Sequence, residues 1–279
     1  KGETTQTFDV EFQHRFKAGR RHEVVWGAGQ RFWSDREDAQ FAEYFDPPSS
    51  RRRLFNVFVQ DEIAFPGPKL YLTAGTKIEH QNVSGVEIQP SVRLAWLPTA
   101  QQTAWAGISR AARTPSRLER ALHVDFAAFP GADGQLTVMG VRGNPDLATE
   151  HTLSYEAGYR INPGTAISFE ATAFHHAYSN LITENNGVRF EATPAPAHLA
   201  LVRQFSSDMN GEVAGVEALV RWRPASIWTI DASVDWLHSR FHNFGDTPQA
   251  KAYTERNPSH QQRVRSQLNL PGSWQLDAA

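Results

Sequence analysis

The feature that most constrains this chain is a two-residue period. In residues 228–236, Trp228, Ile230, Ala232, Val234 and Trp236 take one parity, and Thr229, Asp231, Ser233 and Asp235 take the other. A β-strand points successive side chains to opposite faces, so such a segment has one apolar side and one polar side. The pattern recurs. Residues 7–17 set Phe8, Val10, Phe12 and Phe16 against Asp9, Glu11, Gln13 and Arg15. Residues 86–98 set Val86, Ile88, Val92, Leu94 and Trp96 against Glu87, Gln89, Ser91 and Arg93, and residues 152–161 set Leu153, Tyr155, Ala157, Tyr159 and Ile161 against Thr152, Ser154, Glu156, Gly158 and Arg160. Segments 69–80, 166–174, 213–222 and 261–270 follow the rule less cleanly. Helical character is confined to PSRLERALH (115–123).

The connections carry the second signal. One class is short and rich in Pro and Gly: 17–21, 66–68, 98–101, 162–165, 223–226 and 271–273. The other is mostly long and polar: 35–52, 112–150, 184–211 and 242–258, with 81–85 as its short member. The two classes alternate along the chain, giving about eleven complete strands and the start of another. A soluble β-sandwich has no reason to keep tight turns at one end and long loops at the other. A transmembrane barrel does, and strands of about ten residues cross a bilayer when tilted. The expected fold class is therefore all-β: an antiparallel transmembrane β-barrel, partial, with about 11–12 strands of a larger up-and-down barrel. Aromatics near strand ends, Trp26, Trp33, Phe65, Trp96, Trp105, Tyr159, Trp222 and Trp228, are expected to form interfacial girdles. The competing explanation is ordinary core packing.

Composition narrows the function. The 279 residues include no Cys, which excludes a disulfide framework, thiolate metal sites and a Cys nucleophile. A formal net charge of −2 gives no footprint for nucleic acid. The mean hydropathy of −0.49 is ordinary, as expected when only half of each strand is apolar. No phosphate loop, zinc spacing or nucleophile elbow occurs, so neither an enzyme nor a bound cofactor is expected. Both termini read as cut, so residues 1–279 are expected to be one partial barrel domain of a longer chain.

Five segments, in this order, resemble the barrel of TonB-dependent outer-membrane transporters: NVFVQDEI (56–63), AARTPSRLE (111–119), GNPDLATEHTLSYEAGYR (143–160), AFHHAYSNLIT (173–183) and NGEVAGVEALVRWRP (210–224). The third departs mildly from the family, with Thr149-Glu150 where a Pro-Glu pair is usual. The resemblance implies a barrel of about 22 strands around a plug, with the plug and the TonB-contacting box absent from these residues. It implies an outer-membrane active transporter for a scarce nutrient, a ferric siderophore or similar iron complex, energised through TonB. The implied partners are TonB, a small-molecule or metal-chelate ligand, outer-membrane lipid and lipopolysaccharide. A passive porin-like channel and a soluble all-β binding module are the alternatives.

Candidate ligand-contacting residues follow. Arg51, Arg52 and Arg53 end a long loop and could meet lipopolysaccharide phosphates or an anionic ferric chelate, against the simpler account of a solvated charge cluster. His123 lies between the two boxes, where haem-uptake members carry a ligating His; an ordinary loop His is the competing account. Glu156 and Arg160 share the polar parity and are expected to face the lumen. His175 and His176 are adjacent and face opposite ways, so they cannot chelate one metal together.

Overall fold

The computed structural model describes residues 2–38, 42–67, 69–131, 134–192, 196–243 and 248–279. Twelve strands follow one another in a single antiparallel sheet: β1 (Glu3–Ala18), β2 (His22–Glu37), β4 (Ser49–Ala64), β5 (Leu70–Gln81), β6 (Gly85–Thr99), β7 (Gln102–Arg113), β10 (Glu150–Ile161), β11 (Ile167–Glu191), β12 (His198–Ala225), β13 (Trp228–Asn243), β14 (His260–Leu270) and β15 (Trp274–Ala278). This is the expected count, with β15 as the beginning of a further strand. The sheet does not close, and its edges are β1 and β15.

Register carries the apolar parity intact from strand to strand. Ile78 stands opposite Ile88, Leu72 opposite Leu94, Val92 opposite Ile108, and Ile108 opposite Tyr155. Farther along, Ile161 meets Phe169, Phe169 meets Val220, and Val216 meets Trp236. A slip of one residue anywhere would transfer a strand's apolar set to the polar face. Among the described residues nothing covers the apolar face: Phe55 is 49% exposed, Val59 47%, Ile88 51%, Val234 47% and Trp236 52%. A soluble module would bury this parity as its core, because so large a continuous apolar patch is not left facing water.

The buried apolar residues lie elsewhere. Val138, Leu147, Ala200, Val202 and Met209 cluster beyond the wall, at the long-loop end. There β11 and β12 continue well past the other strands. A hairpin of β8 (Leu122–Pro130) and β9 (Leu136–Arg142) adds to this extension through parallel pairing of β9 with β12, and β3 (Glu43–Phe45) adds to β8. Residues 184–211, expected as a loop, are therefore mostly strand. The reason is physical: above the wall each strand packs on neighbours on both sides instead of separating two solvents. Leu199, Ala200, Leu201 and Val202 are accordingly apolar on both parities, and the two-residue signal vanishes.

Residues 112–150 likewise hold structure. The helix α1 (Arg117–Ala121) realises the helical signal at 115–123, with Ser116 accepting from the Glu119 amide in a capping box. The expected loop at 35–52 is shorter than read, since β2 runs to Glu37 and β4 begins at Ser49. Residues 242–258 contain α2 (Pro248–Glu255). Where the wall meets its extension, β11 bulges between Tyr178 and Thr183, and Asn180 adopts φ +58°. Asn tolerates this left-handed conformation better than most residues.

Two of the expected girdle residues face the other way. Trp33 and Trp105 lie on the polar parity: Trp33 is paired with Arg52, and the Trp105 ring lies against Gly158, where any Cβ would sit 2.5 Å from its Nε1. The guanidinium of Arg93 stands 5.2 Å from the Trp105 ring centroid. Trp26, Trp96, Tyr159, Trp222 and Trp228 share the apolar parity, as the girdle reading requires.

Val234 and Asp235, adjacent in the middle of β13, test the two faces. Val234→Arg is expected to cost roughly 2–4 kcal/mol in denaturant titration of the intact protein in lipid, the scale for a cation at mid-bilayer, whereas Asp235→Ala is expected to cost little. Equal tolerance at both positions would contradict the assignment of faces.

Candidate functional site

The polar face carries cross-strand ion pairs. Arg160 donates to Glu170 at 2.7 Å and Arg221 to Asp231 at 2.6 Å, while Arg31 pairs with Asp9. Such exposed pairs contribute little to stability, about 0–1 kcal/mol each; they keep the wall polar. Glu156 lines an open depression of about 390 Å³ with Arg93, Ser91, Ser109 and Ser154. Glu156 and Arg160 thus lie on one polar wall, each facing charged or hydroxyl side chains.

At the long-loop end, the two sequence boxes are joined by charge. Arg113, the last residue of β7, donates to Glu119 of α1 at 2.9 Å through Nη2 and to Glu150, the first residue of β10, through Nε. Arg117 bonds to Asp35 of β2 and to the Pro47 carbonyl at 3.0 Å, with its guanidinium 4.3 Å from the Phe45 ring centroid. Asn144 of the second box donates to the Phe205 carbonyl at 2.9 Å, and the Ala148 amide donates to Ser207 Oγ at 3.0 Å. The boxes are therefore fasteners: they hold the long connection down on β2 and β12.

A buried polar cluster sits above them. Arg142 is 3% exposed. It reaches Asp125 at 2.7 Å and Glu191 at 3.0 Å, and donates to the Val124 carbonyl at 3.0 Å. Arg189 donates to Glu191 at 2.7 Å, and the His198 ring, 2% exposed, lies 3.4 Å from Glu191. His123 hydrogen-bonds Asp125 at 3.2 Å and stacks on Tyr44, with ring centroids 4.2 Å apart. Burial pulls the His123 imidazole below its ordinary range, and the Arg142 charge adds to this against the pull of Asp125, so the ring is neutral near pH 7. Burial alone would raise the Glu191 carboxyl, but hydrogen bonds and charge from Arg142 and Arg189 outweigh it and hold the group at about 2.

The residues singled out from sequence do not form one site. Arg52 is buried and its Nη1 donates to the Pro115 carbonyl at 3.4 Å, beneath the first box. Arg51 and Arg53 project from the opposite face and are exposed. His123 belongs to the cluster around Arg142, and no contact among the described residues joins it to the arginine triplet. Its ring is already committed to Tyr44 and Asp125. His175 and His176 do point apart: His175 lies 3.7 Å from Glu212, and His176 stacks on Phe174. No group of three or more metal-ligating side chains occurs among the described residues. Sequence reasoning missed Asp125, Arg142, Glu191 and His198; the one available signal was an arginine placed immediately before the GNPD turn.

Comparison with known proteins agrees with this architecture. The family described as TonB dependent receptor-like, beta-barrel matches residues 2–278. The ferric enterobactin receptor of Pseudomonas aeruginosa is 31% identical over 137 residues, 48% of this chain and 18% of that protein. The iron-regulated outer membrane virulence protein of Vibrio cholerae is 24% identical over 207 residues, 72% of this chain and 30% of that protein. The chain thus spans less than a third of either relative. Among solved structures, a mutant of the same Pseudomonas receptor in complex with enterobactin superposes with a TM-score of 0.70 at 18% identity, covering 95% of this chain and 39% of the other. A siderophore receptor of the same organism gives a TM-score of 0.68 at 15% identity, covering 99% and 50%. These two likenesses concern the fold.

Acid should loosen the buried cluster. The folded carboxyl of Glu191 lies below its ordinary value of 4.5, so its contribution is complete above that pH and is lost as the pH falls toward about 2. Hydrogen exchange of residues 198–204 is expected to be pH-independent, after correction for the intrinsic rate, above about 4.5 and to accelerate below it. In Arg142→Ala the protection should already be reduced at pH 7, because two carboxylates lose their buried partner. An unchanged exchange profile in that variant would remove the cluster from the account. With the register, the fastened boxes and the family match over residues 2–278 together, the chain belongs to the TonB-dependent receptor family, as part of its β-barrel.

Proposed function

We propose that this chain is wall and extracellular vestibule of an outer-membrane receptor that captures a ferric siderophore or similar iron complex and admits it with energy delivered through TonB. The observation that carries the reading is the match to the receptor barrel family over residues 2–278. It is supported by an uncovered apolar face, which hydrocarbon would solvate, and by the polar cap built above it. The relatives named above, a ferric enterobactin receptor and an iron-regulated outer-membrane protein, favour an iron complex as cargo.

In this reading each face has its own task. The apolar parity meets lipid, and the polar parity, with Glu156, Arg160 and their partners, lines the lumen. The long-loop end is extracellular, where β8, β9 and the extensions of β11 and β12 shape the vestibule. Cross-strand ion pairs such as Arg160–Glu170 and Arg221–Asp231 keep this wall polar. The covalent chemistry is nil; the barrel binds and guides, and TonB supplies the work through a plug. The surrounding partners are outer-membrane lipid and lipopolysaccharide.

Binding of ferric siderophores, haem and cobalamin to the intact protein tests the cargo, with a ferric siderophore expected to bind most tightly. Deletion of residues 115–148 is expected to abolish capture at least tenfold while leaving the barrel assembled. Undiminished uptake after that deletion would refute the vestibule role. Uptake that persists without TonB or a proton gradient would replace the receptor by a passive channel.

A further inference from the structure

Several arginines of the wall are matched to carboxylates of a neighbouring strand: Arg31 to Asp9, Arg160 to Glu170, Arg221 to Asp231 and Arg265 to Asp277 on the polar face, and Arg110 to Glu87 from the apolar parity. Arg51 and Arg53 are different. Register places Arg51 opposite Ser34 and Arg53 opposite Phe32, on the parity of Phe55, Val57 and Val59. They are the next two outward positions of β4 beyond that apolar run, toward the long-loop end. Both are exposed, and among the described residues neither forms an ion pair. The Arg53 guanidinium stands 6.0 Å from the Phe32 ring centroid.

The backbone beneath them is fixed. Asn82 donates through Nδ2 to the Arg51 carbonyl at 3.2 Å and accepts through Oδ1 from the Arg53 amide at 2.8 Å. That replaces the ladder bonds β5 no longer supplies above Gln81. Beside the two arginines lies an open depression of about 570 Å³, flanked by Phe8 and Phe32 and by Gln6 and Ser34. Six of the nine lining residues carry the outward parity. Below is apolar belt; above are two unmatched guanidinium groups on a rigid strand.

That arrangement has the chemistry of an amphiphile's boundary. Acyl chains fit the Phe8 and Phe32 side, and guanidinium pairs bidentately with phosphate. An anionic cargo entering by the vestibule meets the other face, where Arg52 is already tied to Pro115. We propose that the outward face of β1, β2 and β4 at the extracellular rim docks a phosphorylated glycolipid of the outer leaflet. Arg51 and Arg53 hold its phosphates, and Phe8 and Phe32 its proximal acyl chain. The site rests on the outer-membrane reading above and goes beyond it by separating the roles of three adjacent arginines.

The test uses the intact protein in lipid nanodiscs, with diphosphoryl lipid A and its dephosphorylated form as probes and native mass spectrometry as readout. Wild type is expected to retain the diphosphoryl form at least tenfold better, on the order of two arginine–headgroup contacts. The double variant Arg51→Ala, Arg53→Ala should erase that preference. Arg51→Lys, Arg53→Lys should keep most of it, and Arg20→Ala, in the turn at the opposite end, should match wild type. Heat-modifiable migration of each variant reports that the barrel has folded. A preference that survives the alanine pair, or none in wild type, overturns the site. Displacement by millimolar inorganic phosphate would show that free phosphate suffices and overturns the lipid assignment. Loss of ferric siderophore capture with lipid retention unchanged would assign the two arginines to cargo instead. Failure of wild type to fractionate with outer membranes would sink the parent reading, separately from any lipid result.

Discussion

A strand has two faces and a sheet has one register, and everything else in this protein follows from putting different solvents on those faces. Backbone amides and carbonyls in a bilayer have no water to turn to, so they must be satisfied across the ladder. Twelve strands paired in succession do this along most of the wall, leaving the two outer edges and the stretches where β6 parts from β7 before Ser91 and β13 from β14 beyond Trp236. The side chains then need only respect parity. Phe55, Val59, Ile88 and Val234 on one side, and Arg160, Glu170, Arg221 and Asp231 on the other, are the residues of that division. The hydrophobic effect here does not assemble a core; it fixes which face of a single layer meets lipid.

Above the wall the rule changes, and the chain with it. The extensions of β11 and β12, the hairpin of β8 and β9 and the strand β3 pack on one another as a small soluble sheet would, with Val138, Ala200, Val202 and Met209 buried. Their polar core is the set of charges around Arg142. Burying an arginine at 3% exposure costs several kcal/mol unless each donor is answered, and Asp125, Glu191 and two backbone carbonyls answer it. The two sequence boxes serve the same end. Arg113 and Arg117 fasten the long connection to β10 and β2, which places the hairpin over the rim.

This contrast explains what was legible in the sequence. The wall was readable because each strand separates two solvents, and composition records that alternately: residues 228–236 give their fold by inspection. The turns were readable because Pro and Gly have few other uses at such spacing. The cap was not readable, since Leu199 to Val202 are apolar on both parities and Asn185, Ser206 and Asp208 satisfy one another as in any soluble sheet. Trp33 and Trp105 misled for a related reason. An aromatic near a strand end signals the interface only if its parity is right, and Trp105 instead fills the space left by Gly158. The arginine triplet was found as a cluster, but only register divides it: Arg52 inward under Pro115, Arg51 and Arg53 outward.

The most direct measurement is spin-label accessibility along residues 227–237 of the intact protein in lipid. Labels at positions 230, 234 and 236 should collide freely with oxygen, which partitions into hydrocarbon, while labels at 231, 233 and 235 should respond to a polar relaxation agent. Even positions shielded from both agents would mean that the apolar parity lies in a dry protein interior, and the membrane account of this chain would be wrong.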